Sequence, residues 1–399
     1  MNRVAALSSL LVLPVAALAV YAPIPPLEQG QAVTVTLDSS IYHDDNILGA
    51  YTAEIESWVF RFSPKVAYNE SLGRNSFLNA FYKADALFFD NRPSDDKLLN
   101  HHLGAKLFYT FDESSELVVS NYLSFIDNPV SVVAGFGGQT NLSLKQNLFD
   151  AKVNGNFTET LGAAVKLRHQ YISYDAATLS NLLDREEWTL GLEGIYKQSE
   201  TTKLVGELRY QDINYDVQKI ADSKSAFLLA GVDYDLTEVT SLSSRIGIER
   251  RQRASTPGKK KDSNFYGEVV GVHRYTTGSF LSGGLRYSTT ATDSTDLYAD
   301  QDSLLVFLNV QHMVTGAVTV SASISYDRSD LNPRKDLGGI PEIEDRTLRL
   351  GFAASYLVSE NFSVSATLDI DRVSSDVFYR EQDRTRFGIS ARYAFGFAP

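Results

Sequence analysis

The segment SWVFRFSPKVAYN, Ser57 to Asn69, decides the fold. Trp58, Phe60, Phe62, Val66 and Tyr68 fall at every second position, and Val59, Arg61, Ser63, Lys65 and Asn69 occupy the alternate set. A period of two sends successive side chains to opposite faces of a strand, so one face here is apolar and the other charged. The apolar face suits lipid and the charged face suits water.

The same pattern recurs along the chain. Leu78, Ala80, Tyr82, Ala84, Ala86 and Phe88 oppose Asn79, Lys83 and Asp85. Leu161, Ala163, Val165 and Leu167 oppose Lys166, Arg168 and Gln170, and Leu204, Leu208 and Tyr210 oppose Glu207, Arg209 and Gln211. Leu348, Leu350, Phe352 and Tyr356 oppose Arg349, and Phe387, Ile389, Tyr393 and Phe395 oppose Arg386 and Arg392. About eighteen such strands fit the chain, an even number of the kind outer-membrane barrels use. The fifth and twelfth alternate poorly.

The connections alternate as well. Tight turns include Asp112-Glu113-Ser114, Ser199-Glu200-Thr201, Thr276-Thr277-Gly278, Thr315-Gly316 and Ser359-Glu360-Asn361. Between them lie the long segments Asp175–Leu183, Gln252–Asp262, Ala291–Gln301, Arg328–Glu344 and Ser374–Gln382. Short turns belong at the periplasmic rim and long loops outside. Tyr68, Tyr109, Phe157, Tyr196, Tyr234, Tyr275, Tyr356 and Phe395 end descending strands near the short turns, while Trp58 and Trp188 begin them at the other rim. That distribution predicts two aromatic girdles at headgroup level. A soluble β-sandwich is the competing fold, but its strands run about 5–6 residues, shorter than these.

Bulk properties narrow the function. The chain has 399 residues, no cysteine and a formal net charge of −12. Thiol chemistry and disulfides are excluded, and the acidic balance argues against nucleic acid. Residues 1–19 read as a signal peptide, with an apolar run from Leu10 to Val20 and a small-residue site at Ala17-Leu18-Ala19; cleavage after Ala22 is the alternative. Residues 20–30 are then a short periplasmic segment and residues 31–399 the barrel.

No residue group predicts catalysis, a cofactor or a metal site. The histidines His43, His101, His102, His169, His273 and His312 have no metal or triad spacing. Tyr42-His43-Asp44-Asp45-Asn46 reads as an ordinary polar loop, lacking the Glu that an EF-hand calcium loop requires. The pairs Asp184-Arg185, Asp345-Arg346 and Asp383-Arg384 read as solvated charge at the outer rim, with bridging of neighbouring strands or lipopolysaccharide binding through divalent ions as the alternatives. The inward face is expected to carry Arg61, Lys65, Lys83, Asp85, Lys106, Lys166, Arg168, Glu207, Arg209, Arg245, Arg349, Arg386 and Arg392. Such a wall either favours anions or pairs its charges with one another. Phe81 and Phe108 face the lumen in the same register. The third outer loop, Asp127–Gln139, holds Val130, Val132, Val133 and Phe136 among glycines and either folds inward as a constriction or packs on the rim.

The run Leu37-Asp38-Ser39-Ser40-Ile41-Tyr42 with Asp44-Asp45-Asn46-Ile47, then SWVFRFSPKVAYN, then serial Tyr-Asp and Asp-Arg strand ends, resembles β-barrel porin family 2 of Gram-negative outer membranes. The chain is also similar to the eighteen-stranded barrels that accompany exopolysaccharide export. The first likeness implies a passive porin handled by the barrel assembly machinery, and the second a polymer exit working with a periplasmic polysaccharide-export protein. One departure is the C-terminus, where Phe397 precedes Ala398-Pro399 instead of closing the chain. The sequence therefore predicts an all-β, single-domain transmembrane barrel that is a channel and not an enzyme. A structural or surface-recognition barrel without an open pore remains the alternative.

Overall fold

The computed structural model describes residues 31–127, 142–255 and 261–397. Eighteen antiparallel strands follow one another among these residues. The first six are β1 (Val33–Asp44), β2 (Ser57–Gly73), β3 (Ser76–Phe89), β4 (Lys97–Asp112), β5 (Ser115–Ile126) and β6 (Leu144–Asn156). The next six are β7 (Leu161–Tyr174), β8 (Arg185–Lys197), β9 (Thr202–Tyr215), β10 (Ser223–Thr237), β11 (Thr240–Arg253) and β12 (Lys261–Thr276). The last six are β13 (Ser279–Thr290), β14 (Tyr298–Met313), β15 (Val318–Pro333), β16 (Ile343–Ser359), β17 (Phe362–Ser375) and β18 (Gln382–Phe397). One short helix, α1 (Ala177–Leu183), lies between β7 and β8.

Each strand pairs with its sequence neighbours, and β1 pairs with β18 as well as β2, so the sheet closes on itself. Closure satisfies every strand edge, which is what a sheet needs to stand in hydrocarbon. It rules out the sandwich. The outer surface is apolar: Trp58, Phe60, Phe62, Val66 and Tyr68 are exposed on β2, as are Leu204, Leu208 and Tyr210 on β9 and Phe352 and Tyr356 on β16. A soluble protein buries such rows; here they form a belt for lipid. No described helix is long and apolar enough to cross a membrane. Connections at one end are tight turns, with Gly278 at φ +72 in the left-handed region that glycine adopts without a Cβ clash. At the other end the loops are long. Apolar belt, closed sheet and loop asymmetry together place the chain in the outer membrane, with the long loops outside.

Two local features explain where the sequence pattern is irregular. Pro64 has no N–H, and the β2–β3 ladder skips Ser63 and Pro64; the Ser63 hydroxyl instead donates to the Asp85 carboxylate across the gap. In β5, Asn121 faces outward and exchanges amide hydrogen bonds of 3.2 and 3.1 Å with Asn147 of β6. This reciprocal pair meets the hydrogen-bonding needs of two polar groups on the apolar face, which is why β5 alternates poorly.

The segment read as a polar loop, Tyr42–Asn46, is mostly strand. Tyr42 to Asp44 complete β1, and Asp44 is buried, taking Arg384 Nε of β18 at 3.0 Å. Asn46, also buried, spans from Ala50 to the carbonyl of Asp383. This corner ties the first strand to the last at the outer rim. Residues 1–30 and the tetrad Val130, Val132, Val133 and Phe136 lie outside the described residues, so the signal-peptide and constriction-loop expectations are not addressed by the structure.

Candidate functional site: the lumen

Strand alternation turns one side chain in two toward the lumen, and the register of neighbouring strands decides which of these meet. At mid-height they meet as opposite charges. Arg168 Nε of β7 donates to Asp150 of its register partner on β6 at 2.7 Å. Lys166 reaches Glu193 at 2.6 Å, Arg209 reaches Glu207 at 2.7 Å and Arg245 reaches Asp233 at 2.8 Å. Asp371 takes Arg386 at 2.9 Å and Arg349 at 3.9 Å. Asp38 takes Arg392 at 3.2 Å and Arg61 at 3.9 Å. Asp85 takes Lys83 at 2.9 Å and His102 at 3.2 Å.

The sequence reading singled out the bases and missed most of their partners: Asp38, Asp150, Glu193, Asp233 and His102. The only signal that finds them is cross-strand register. Mutual pairing accounts for most of the basic wall.

The outer half of the lumen is packed. Arg251 and Glu249 of β11 are each 1% exposed. Arg251 also reaches Asp300 of β14 at 3.3 Å, and Asp300 bonds Arg253 and, at 2.9 Å, Asn332. Loops fold inward at the same end of the barrel. In the loop from Ala291 to Leu297, Thr292 and Thr295 are buried, and the Thr295 hydroxyl donates to the carbonyl of Leu182 on α1 at 2.9 Å. Asp293 in that loop accepts from Arg380 at 3.0 Å, and Arg380 also donates to Asp345 at 2.7 Å. Burial pushes the Asp293 carboxyl above its ordinary range, against the pull of Arg380. Burial works to lower the Arg380 guanidinium, but the carboxylates of Asp293 and Asp345 outweigh it and hold it above its ordinary value.

α1 packs Leu179 and Leu183 on Leu142, Leu144, Ile172 and Tyr174. Asp184 fixes its end by accepting from Tyr174 N–H at 2.7 Å, Ser173 Oγ at 2.9 Å and Ser180 Oγ at 2.8 Å. Asp184, Asp345 and Arg384, expected as solvated rim charge, are thus buried clamps. The physical reason is that inward-folded loops exclude water from this rim, so charges there persist only as satisfied partners.

The periplasmic half differs. Phe77 of β3 is 41% exposed and Phe108 of β4 36% exposed, although both rings point inward in a closed sheet. Their exposure is to lumen water. Lys65 Nζ stands 5.6 Å from the Phe81 ring centroid and Lys106 Nζ 4.5 Å from that of Phe108. No described carboxylate lies within 4 Å of Lys65, Lys106 or Lys152; Arg286 on β13 is likewise unpaired. No described cluster of His, Asp and Glu has the shape of a metal site.

No family model matches the chain, and no curated protein matches it. Among solved structures it is similar to Pseudomonas aeruginosa OccK5, with 12% identity over 91% of this chain and 98% of that one and a TM-score of 0.47. It is also similar to Acinetobacter baumannii OccAB3, with 13% identity over 92% and 99% and a TM-score of 0.43. A third is the FrpB iron transporter from Neisseria meningitidis, with 10% identity over 92% and 81% and a TM-score of 0.48. At these identities and scores nothing is carried from them to this chain.

Proposed function

We propose that the protein is a solute channel of the outer membrane whose outer mouth is narrowed by its own loops. The observation that carries this is the exposure of Phe77 and Phe108 on the inner wall. A sealed structural barrel would bury such rings. A closed sheet of eighteen strands encloses more space than side chains fill, and the exposed rings of the inner wall lie toward the periplasmic end. Passage needs no covalent chemistry. Selectivity comes from width at the loop-covered mouth and from the few cations left without carboxylates.

The test is conductance of the purified barrel in planar bilayers. Steady ion current with modest anion preference is the expected result; absence of current would leave a structural or recognition barrel as the better reading. Exopolysaccharide export with a periplasmic partner is the second form of the channel reading. It would require the packed outer half to open for a chain. Loss of surface polysaccharide on deleting the gene, with small-solute uptake unchanged, would replace the solute reading with export.

A further inference from the structure

The lumen is lopsided in chemistry. Toward the periplasm, β15 to β17 present small hydroxyls: Thr319, Ser321, Ser355, Ser363 and Ser365 are all buried, and Ser365 donates to Ser355 at 3.0 Å. Two strands further round the wall, past β18 and β1, β2 to β5 present rings and amines. Phe77 and Phe108 lie 6.4 Å apart between centroids, and Phe81 and Tyr122 6.2 Å apart. Register places Phe77 beside Phe108, Asn79 beside Lys106 one inward-facing step above, and Phe81 level with Gly104 one step above that. Gly104 makes room for the Phe81 ring, which lies over it: a Cβ there would fall 2.2 Å from that ring. Lys65 and Lys106 each lie against one of these rings.

On most of the rest of the wall, Lys152 and Arg286 excepted, a lysine or arginine is answered by a carboxylate. Here the nearby acids are engaged or set apart. Asp85 is held by Lys83 and His102, and Asp150 by Arg168. Glu116 lies one inward-facing step below, paired with Thr110 where Val118 pairs with Phe108. An ammonium against an aromatic face keeps its charge while shedding part of its water, and it attracts an anion more strongly than a fully hydrated one.

The geometry points to a binding strip, Lys65, Phe77, Phe81, Lys106 and Phe108, for a small carboxylate attached to a flat apolar ring: an aromatic acid. The carboxylate meets an ammonium, and the ring stacks on the phenyl faces. A sugar acid fits less well. Its hydroxyls need in-plane partners, and the amide at this level, Asn79, is spent on Asn69 at 2.6 Å. This inference rests on the open-lumen reading, and the experiment separates the two.

Benzoate, acetate, benzyl alcohol and glucuronate are added to the conducting barrel, and the concentration that halves the potassium chloride current is measured. Benzoate should act at concentrations at least about fivefold below the other three. Lys106→Gln and Phe108→Leu should each weaken the benzoate effect about fivefold, whereas Arg286→Gln, an equal loss of charge on β13, should change it less than about twofold. Heat-modifiable mobility on gels verifies that each variant is folded. Benzoate no better than acetate, or Arg286→Gln as damaging as Lys106→Gln, overturns the strip. Glucuronate equal to benzoate overturns the aromatic class in favour of sugars. Equilibrium dialysis of labelled benzoate against the detergent-solubilised barrel covers a non-conducting protein. Binding lost in Lys106→Gln would then keep the strip and defeat the channel; no binding would defeat both.

Discussion

The outer and inner halves of this lumen are made by the same eighteen strands, yet one buries charge and the other exposes rings to water. In the outer half Arg251, Glu249 and Asp300 are shielded, taking partners from β11, β13 and β14, and loop residues Thr292 and Thr295 are buried at the same end. In the periplasmic half the connections are turns too short to reach in, so Phe108 and Lys106 face the lumen unshielded. The difference teaches that loop length, more than strand composition, sets the local solvent inside a barrel. A basic side chain faces lumen water in one half, as Lys106 does, and is a structural clamp in the other, as Arg251 is.

The largest way to break this comparison is Asp300→Ala. Asp300 answers both Arg251 and Arg253, and removing one partner of a buried charge group costs about 3–5 kcal/mol. Urea unfolding of the detergent-solubilised barrel should show a markedly lower midpoint; an unchanged midpoint would mean that water reaches the outer cluster. Next is Leu350→Arg, on the lipid face of β16, which should cost about 2–4 kcal/mol near the midplane and reduce assembled protein. Its neighbour Arg349→Leu should assemble nearly normally, because Asp371 keeps Arg386 at 2.9 Å. Reversal of that order would shift the face assignment by one residue.

Deleting residues 292–296 sharpens the same contrast. The excision removes the contacts from Thr295 to Leu182 and from Asp293 to Arg380. Single-channel conductance should rise; if it does not, the narrowest point lies elsewhere. The smallest effect is expected from epitope tags, which should leave folding intact. Antibody on whole cells should reach a tag at Arg334, in an outer loop, and miss tags at Glu200 or Glu360, in tight turns. Equal labelling of all three would invert or abolish the proposed orientation.

Much of the fold was legible because a barrel repeats one local rule. Alternation in Ser57–Asn69 identified both faces of β2, and alternating loop lengths gave strand direction. The misreadings share a cause. Asp44, Asp184, Asp345 and Arg384 look like surface charge in sequence, since nothing local marks a loop that folds over them. Asn121 blurred the pattern of β5 because its partner, Asn147, lies on the next strand. For the lumen, the sequence named the bases but left open whether they act free or paired.

By itself the sequence determined a closed, lipid-facing barrel of eighteen strands with outer loops and inner turns, because side-chain period and turn length are properties of contiguous residues. Only the tertiary structure decided which charges cancel, since Arg168 meets Asp150 and Arg384 meets Asp44 through strand register and ring closure. It also decided where water remains. That depends on loops from different strand pairs converging at Thr295, and on Lys65 and Lys106 finding rings rather than carboxylates beside them.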